Sequence, residues 1–140
     1  MNAWPFVMSG IVLFVGAILV GNRLLLRRER RLREGRPQQT LADFTVALAE
    51  SGASEPLLRT VYEYLRARAF TREFPIDPSD NLYGVFGLEQ EELGYDLPKI
   101  LESAGLKWRE PSADDEGVLE RLSSGTVREF VLFLARLPRE

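Results

Sequence analysis

The chain has 140 residues, 45% hydrophobic and 28% charged, with a formal net charge of −3 and neither cysteine nor histidine. Those two absences remove disulfides, thiolate nucleophiles, zinc sites built from the usual ligands and the Ser-His or Cys-His triads, so catalysis would fall to carboxylates, lysine or tyrosine. Seven basic and two acidic residues lie up to Arg36, against eleven basic and nineteen acidic beyond it. The acidic remainder argues against nucleic acid and for a protein partner with a basic surface.

From Ala3 to Gly21 there is no charged residue, and ten of these nineteen are Leu, Ile, Val or Phe. At ~1.5 Å per residue such a stretch spans roughly 28 Å as a helix, near the thickness of a bilayer's hydrocarbon core. Each of the ten favours insertion by about 0.3 to 0.6 kcal/mol at a helix centre, which leaves a few kcal/mol once Pro5, Ser9 and the glycines are discounted. Met1 and Asn2 stand where a cleaved signal peptide would carry positive charge, so residues 1–26 read as an uncleaved anchor. Arg23, Arg27, Arg28, Arg30, Arg31 and Arg33 follow, with Arg36 beyond, and no Lys or Arg comes before. The positive-inside bias then places the N-terminus outside and the following domain in the cytoplasm, in a single pass of the cell membrane. The arginines read first as that topology signal. They also stand where anionic lipid headgroups lie, at ~1 kcal/mol per residue near the surface. Ala17 and Gly21, with Gly10 on the same face, form a small-xxx-small pattern through which the anchor can pack as a homodimer.

Residues 27–39 read as a basic stem closed by a polar break at Gly35, Pro37, Gln38 and Gln39, and residues 40–140 as one acidic helical domain with a single core. Thr40 caps a short helix whose Leu41, Phe44, Val46 and Leu48 share roughly one side, and Gly52 ends it. Ser54 caps the next, with Pro56 in its first turn and Leu57, Leu58, Val61, Tyr62, Leu65 and Ala69 at helical spacing. From Thr71 to Gly87, two prolines, two glycines and an Asp-Asn pair predict a structured loop with one helical turn after Ser79 or Asp80. Ile76, Leu82 and Phe86 should point inward there. Residues 89–105 are helical, burying Leu93, Leu97, Ile100, Leu101 and Ala104; Gly94 and Pro98 are expected to bend or divide this helix, with Asp96 capping the second piece. A loop holding Trp108 and Pro111 leads to a short helix near residues 117–122. Thr126 caps a last helix that buries Val127, Phe130, Val131, Leu134 and Leu137. Tyr83, Phe86, Tyr95 and Trp108 read as core aromatics rather than walls of a ligand pocket, because a small bundle needs large side chains to exclude water. Asp77 with Asp80, and Asp114 with Asp115, read as turn and capping residues and not as catalytic pairs. No strand periodicity is found. The expected fold class is all-α: one N-terminal transmembrane helix and a small four-helix bundle with a long loop between its first and second helices.

Asp80, Leu82, Phe86, Gly87, Leu88 and Glu89 before one helix, Gly105 and Leu106 after it, and TVREFVLFLARL as the last helix together resemble an acyl carrier protein over about residues 55–137. In that family the long loop ends in D-x-x-L-G-x-D-S-L, and the second helix begins at the serine that carries the phosphopantetheine arm. The counterpart of that serine here is Gln90, whose amide cannot form the phosphodiester, and Glu91 stands where the motif's next leucine would. Ser79 and Ser103, the nearest serines, lie eleven and thirteen residues away. The resemblance therefore implies a carrier-like framework with no cofactor attached at the usual position. It also implies a docking surface, since the family's acidic second helix meets basic patches on partner enzymes, and Glu89, Glu91, Glu92 and Asp96 stand at similar places. The bland alternative is a solvated helix face whose carboxylates are stabilised by the helix dipole. These carboxylates lack the further oxygen ligands a hard cation needs, and no metal is expected. The chain is thus expected to be a membrane-tethered, non-enzymatic interaction module. A working acyl or peptidyl carrier with a displaced attachment site, and a small structural subunit of a membrane complex, are the alternatives.

Overall fold

The computed structural model describes residues 4–34, 36, 40–69, 71, 74–107 and 113–137. Among these residues it is all-helical, with seven α-helices, one 3₁₀ turn and a single isolated β-bridge. It divides into two compact units, Met1–Arg36 and Pro37–Glu140.

The first unit is one helix, α1 (Trp4–Arg33), whose 30 residues extend about 45 Å. Its apolar side chains from Phe6 to Leu26 are exposed on every side, unlike a soluble helix, which hides one apolar stripe. It is the one helix among the described residues long and apolar enough to cross a membrane. The helix does not stop at the expected anchor boundary at residue 26. Leucines and arginines are good helix formers, and no glycine or proline intervenes between Gly21 and Gly35. Arg30, Arg31 and Arg33 in the last turn also complement the negative end of the helix dipole. Gly35 and residues 37–39, the expected polar break, lie outside the described residues.

The second unit begins with α2 (Leu41–Ala47), opened by a capping box in which the Asp43 amide donates to Thr40 Oγ1 at 3.3 Å and the Thr40 amide to Asp43 Oδ2 at 2.9 Å. These donors from the Thr40 backbone and hydroxyl hold the Asp43 carboxyl below its ordinary value. Phe44 and Leu48 are buried, whereas Val46, expected beside them, is 76% exposed; two residues on from Phe44 is 200° around a helix. A 3₁₀ turn (Ala49–Ser51) and Gly52, at φ +75°, lead into α3 (Glu55–Arg68), capped by Ser54, whose hydroxyl accepts from the Leu57 amide at 3.4 Å. Leu57, Leu58, Val61, Tyr62 and Leu65 form its buried face.

The loop that follows is ordered by its own side chains and by a distant helix. Asp77 Oδ1 accepts from the Ser79 amide at 2.8 Å and Asp80 Oδ2 from the Asp77 amide at 2.9 Å, an arrangement that makes both aspartates turn residues. Asn81 caps α4 (Leu82–Phe86), its Oδ1 accepting from the Gly84 amide at 2.7 Å, and Gly87 ends it at φ +67°. Asn81 also pairs with Thr126 in the isolated bridge. The Leu82 amide donates to the Gly125 carbonyl at 3.0 Å, and Asn81 Nδ2 donates to the Ser124 carbonyl at 2.8 Å. In return the Asp80 and Pro78 carbonyls accept from the Val127 and Arg128 amides, each at 2.9 Å. Those are first-turn amides of α7 (Val127–Arg136), which have no partner inside their own helix.

Between them run α5 (Gln90–Ser103) and α6 (Ala113–Ser123). The expected break in α5 does not occur: the helix passes through Gly94 and Pro98, and Asp96 is a buried mid-helix side chain and not a cap. Pro98 removes only the bond to the Gly94 carbonyl, four residues back. Leu93, Leu97, Ile100 and Leu101, buried on both sides of the proline, hold the two halves to one core. Helix α6 starts earlier than expected and takes Asp114 and Asp115 into its first turn; Trp108 and Pro111 lie outside the described residues. Helix α3 packs on α2 and α5, α6 on α5 and α4, and α7 on the 3₁₀ turn. Phe44, Leu48, Leu57, Val61, Leu65, Ile76, Leu82, Leu88, Leu93, Leu97, Val127, Phe130 and Val131 are fully buried in the shared core.

Candidate functional site

The acidic residues singled out in the sequence all fall in or just before α5, but the fold separates them into two pairs. Glu89, at the N-cap, and Glu91 are exposed and have no hydrogen bond or ion pair from their side chains among the described residues. Glu92 and Asp96, one turn apart, face α3 instead. The Arg68 guanidinium bridges them, with Nε and Nη2 donating to Glu92 Oε1 at 3.3 and 3.2 Å and Nη2 also donating to Asp96 Oδ2. Tyr64 donates its hydroxyl to the same Asp96 oxygen at 2.9 Å, and Lys99 Nζ lies 3.6 Å from Oδ1. Asp96, expected as an exposed carboxylate, is instead buried.

The Arg68 guanidinium carbon also stands 4.1 Å from the centroid of the Tyr64 ring, so cation, ring and carboxylate stack into one cluster. Burial, and next the hydrogen bond to Asp96, push the Tyr64 phenol well above its ordinary value, with Arg68 acting in the opposite sense. Neither Tyr64 nor Arg68 was singled out from the sequence. Their signal was present: Pro56, Thr60, Tyr64 and Arg68 recur every four residues, a stripe alongside the apolar face of α3. This stripe and Asp96, Lys99, Ile100 and Ser103 of α5 line an open groove of about 530 Å³.

Gln90 is the first residue of α5 and is half-buried. Two aromatics assigned to the core are on the surface: Tyr83 is 58% and Tyr95 72% exposed, whereas Phe86 is buried as expected. Tyr95 lies one turn beyond Glu91, and the Lys99 ammonium covers its ring at 4.2 Å from the centroid. The outer face of α5 thus carries free carboxylates at its start and an exposed aromatic in its middle. No protein-family model, curated protein or solved structure matches this chain. Asp96 accepts from Tyr64 and Arg68 of α3, with the Lys99 ammonium alongside, so the cluster clamps α3 to α5.

On α1, Arg23, Arg27, Arg28, Arg30, Arg31 and Arg33 are all exposed and helical. Gly10 and Gly21 of the small-residue face have open space where a side chain would project.

Proposed function

We propose that this chain is a membrane-tethered, non-enzymatic interaction module, whose acyl-carrier-like domain lacks the phosphopantetheine attachment residue and stands on the cytoplasmic side of the cell membrane. The observation that carries the reading is Gln90. It opens α5, the place where the resemblance puts the arm-bearing serine, and it offers an amide in place of a hydroxyl. The succession of α3, a long loop with the short α4, α5, α6 and α7 supports the carrier-like framework, with α2 added in front. Helix α1 supports the tether, and the excess of arginine after its apolar part supports the orientation.

The docking face is narrower than the four carboxylates named from the sequence. Glu92 and Asp96 are engaged with Arg68, which leaves Glu89 and Glu91, with Tyr95 beside them, to meet a basic protein surface. An exposed aromatic flanked by charge is a common anchor of protein interfaces. The test is to incubate the full chain, in detergent, with a phosphopantetheinyl transferase and coenzyme A and to record its intact mass. The mass is expected to stay unchanged; addition of an arm would overturn the reading of Gln90 and make the protein a working carrier.

A further inference from the structure

The seven arginines that follow the apolar part of α1 are not equivalent. Arg33 pairs with Glu29 at 3.2 Å, and Arg28 and Arg36 are also engaged by protein groups. The side chains of Arg23, Arg27, Arg30 and Arg31 have no ion pair or hydrogen bond among the described residues. Of these, Arg23, Arg27 and Arg30, at spacings of four and three, share one face of the helix. With Leu26 they line a shallow hollow of about 260 Å³.

We propose that this hollow binds the phosphate headgroup of an anionic phospholipid. Guanidinium forks match phosphate oxygens in pairs, and three uncommitted ones on one face supply a charge no single pair would. Leu26 between them gives an apolar contact for the glycerol and the first methylenes. The depth is right for that occupant, a reading that rests on α1 spanning the membrane. Arg23 comes two residues after Gly21, and Arg23 to Arg30 rises roughly 10 Å along the axis, enough to cross the interfacial layer beside the hydrocarbon core. Arginines that acted only by number, as a topology signal, would be interchangeable; here the pair with Glu29 commits Arg33, while Arg23, Arg27 and Arg30 stay uncommitted.

The test uses the full chain in detergent, followed by native mass spectrometry while short-chain phosphatidylglycerol, phosphatidylcholine or inorganic phosphate is titrated in separate arms. Phosphatidylglycerol is expected to bind at least tenfold more tightly than phosphatidylcholine. With their charge-assisted hydrogen bonds to the phosphate removed, the triple change Arg23→Gln, Arg27→Gln, Arg30→Gln should weaken it by more than about tenfold. The charge-matched triple Arg28→Gln, Arg33→Gln, Arg36→Gln should stay within about threefold of wild type. Equal losses in both triples would overturn the site, as would inorganic phosphate binding as tightly as the lipid. Alkaline carbonate extraction of membranes separates the two failures. Release of the wild-type chain removes the anchor and the site with it, whereas retention without a preference for phosphatidylglycerol removes the site alone.

Discussion

Replacing Asp96 by alanine removes the carboxylate that Tyr64, Arg68 and Lys99 share, and the domain is expected to lose about 2 kcal/mol of stability. The figure comes from where the cluster sits between two limits. The Asp96 side chain is 12% exposed and that of Arg68 28%; fully exposed pairs contribute roughly 0–1 kcal/mol, while breaking a buried one costs about 3–5 kcal/mol. Losing the acceptor of the Tyr64 hydroxyl pushes the estimate up, since a hydrogen bond to a charged group is worth about 1.5–3 kcal/mol. Arg68 pulls it down, because its guanidinium keeps Glu92 at 3.2 Å and is not left alone. For a domain of about 100 residues this is a fall of roughly 8–16 °C in the melting midpoint. Circular dichroism at 222 nm on the full chain in detergent reads it, with Glu91→Ala, an exposed and unpaired position, as the control that should stay within about 0.5 kcal/mol of wild type. Asp96→Asn, which keeps an acceptor for Tyr64 but not the charge, should fall between. A midpoint for Asp96→Ala indistinguishable from that of Glu91→Ala would refute the clamp and return Asp96 to the docking carboxylates.

Two further outcomes follow from the same contacts. The Tyr64 phenol titrates above its ordinary value of 10.0 because it is buried and donates to Asp96. A group ionising later in the folded state than in the unfolded one contributes fully below pH 10 and loses that contribution as the pH rises through the folded value. Urea midpoints should therefore fall above about pH 10, and Tyr64→Phe should flatten the fall; an equally steep fall in the variant would exclude Tyr64 as its source. Asn81→Ala deletes both the cap on the Gly84 amide and the bond to the Ser124 carbonyl, at about 1–2 kcal/mol together. Hydrogen exchange should quicken at Gly84 and Leu82 and leave Leu57, whose cap is Ser54, unchanged.

What could be read from the sequence was what depends on neighbours along the chain. Thr40, Ser54 and Thr126 cap helices as expected, because a hydroxyl before an amphipathic run satisfies amides two or three residues on. Apolar periodicity likewise named nearly all of the buried residues of α3, α5 and α7. The failures share a cause. Asp96 looked like the other carboxylates of α5 because its partner Arg68 is 28 positions away. Pro98 looked like a break because local propensity counts the lost bond and not the buried side chains on either side of it. Val46, Tyr83 and Tyr95 are apolar by type yet exposed, and side-chain type alone does not say which way a short helix turns. Of the candidate docking carboxylates, exposure was legible at Glu89 and Glu91 and illegible at Asp96, where tertiary pairing decides.

The stitch between the loop and the start of α7 sets an order on synthesis. Asn81 and Ser124 are 43 positions apart, and at about 5–20 residues per second the ribosome needs roughly 2–9 s to travel between them. The α4 segment is made that much earlier than the backbone that receives its Leu82 amide, and the Asp80 carbonyl waits about as long for the Val127 amide to be made. The domain is thus completed by a late-made helix reaching back to a segment finished seconds earlier.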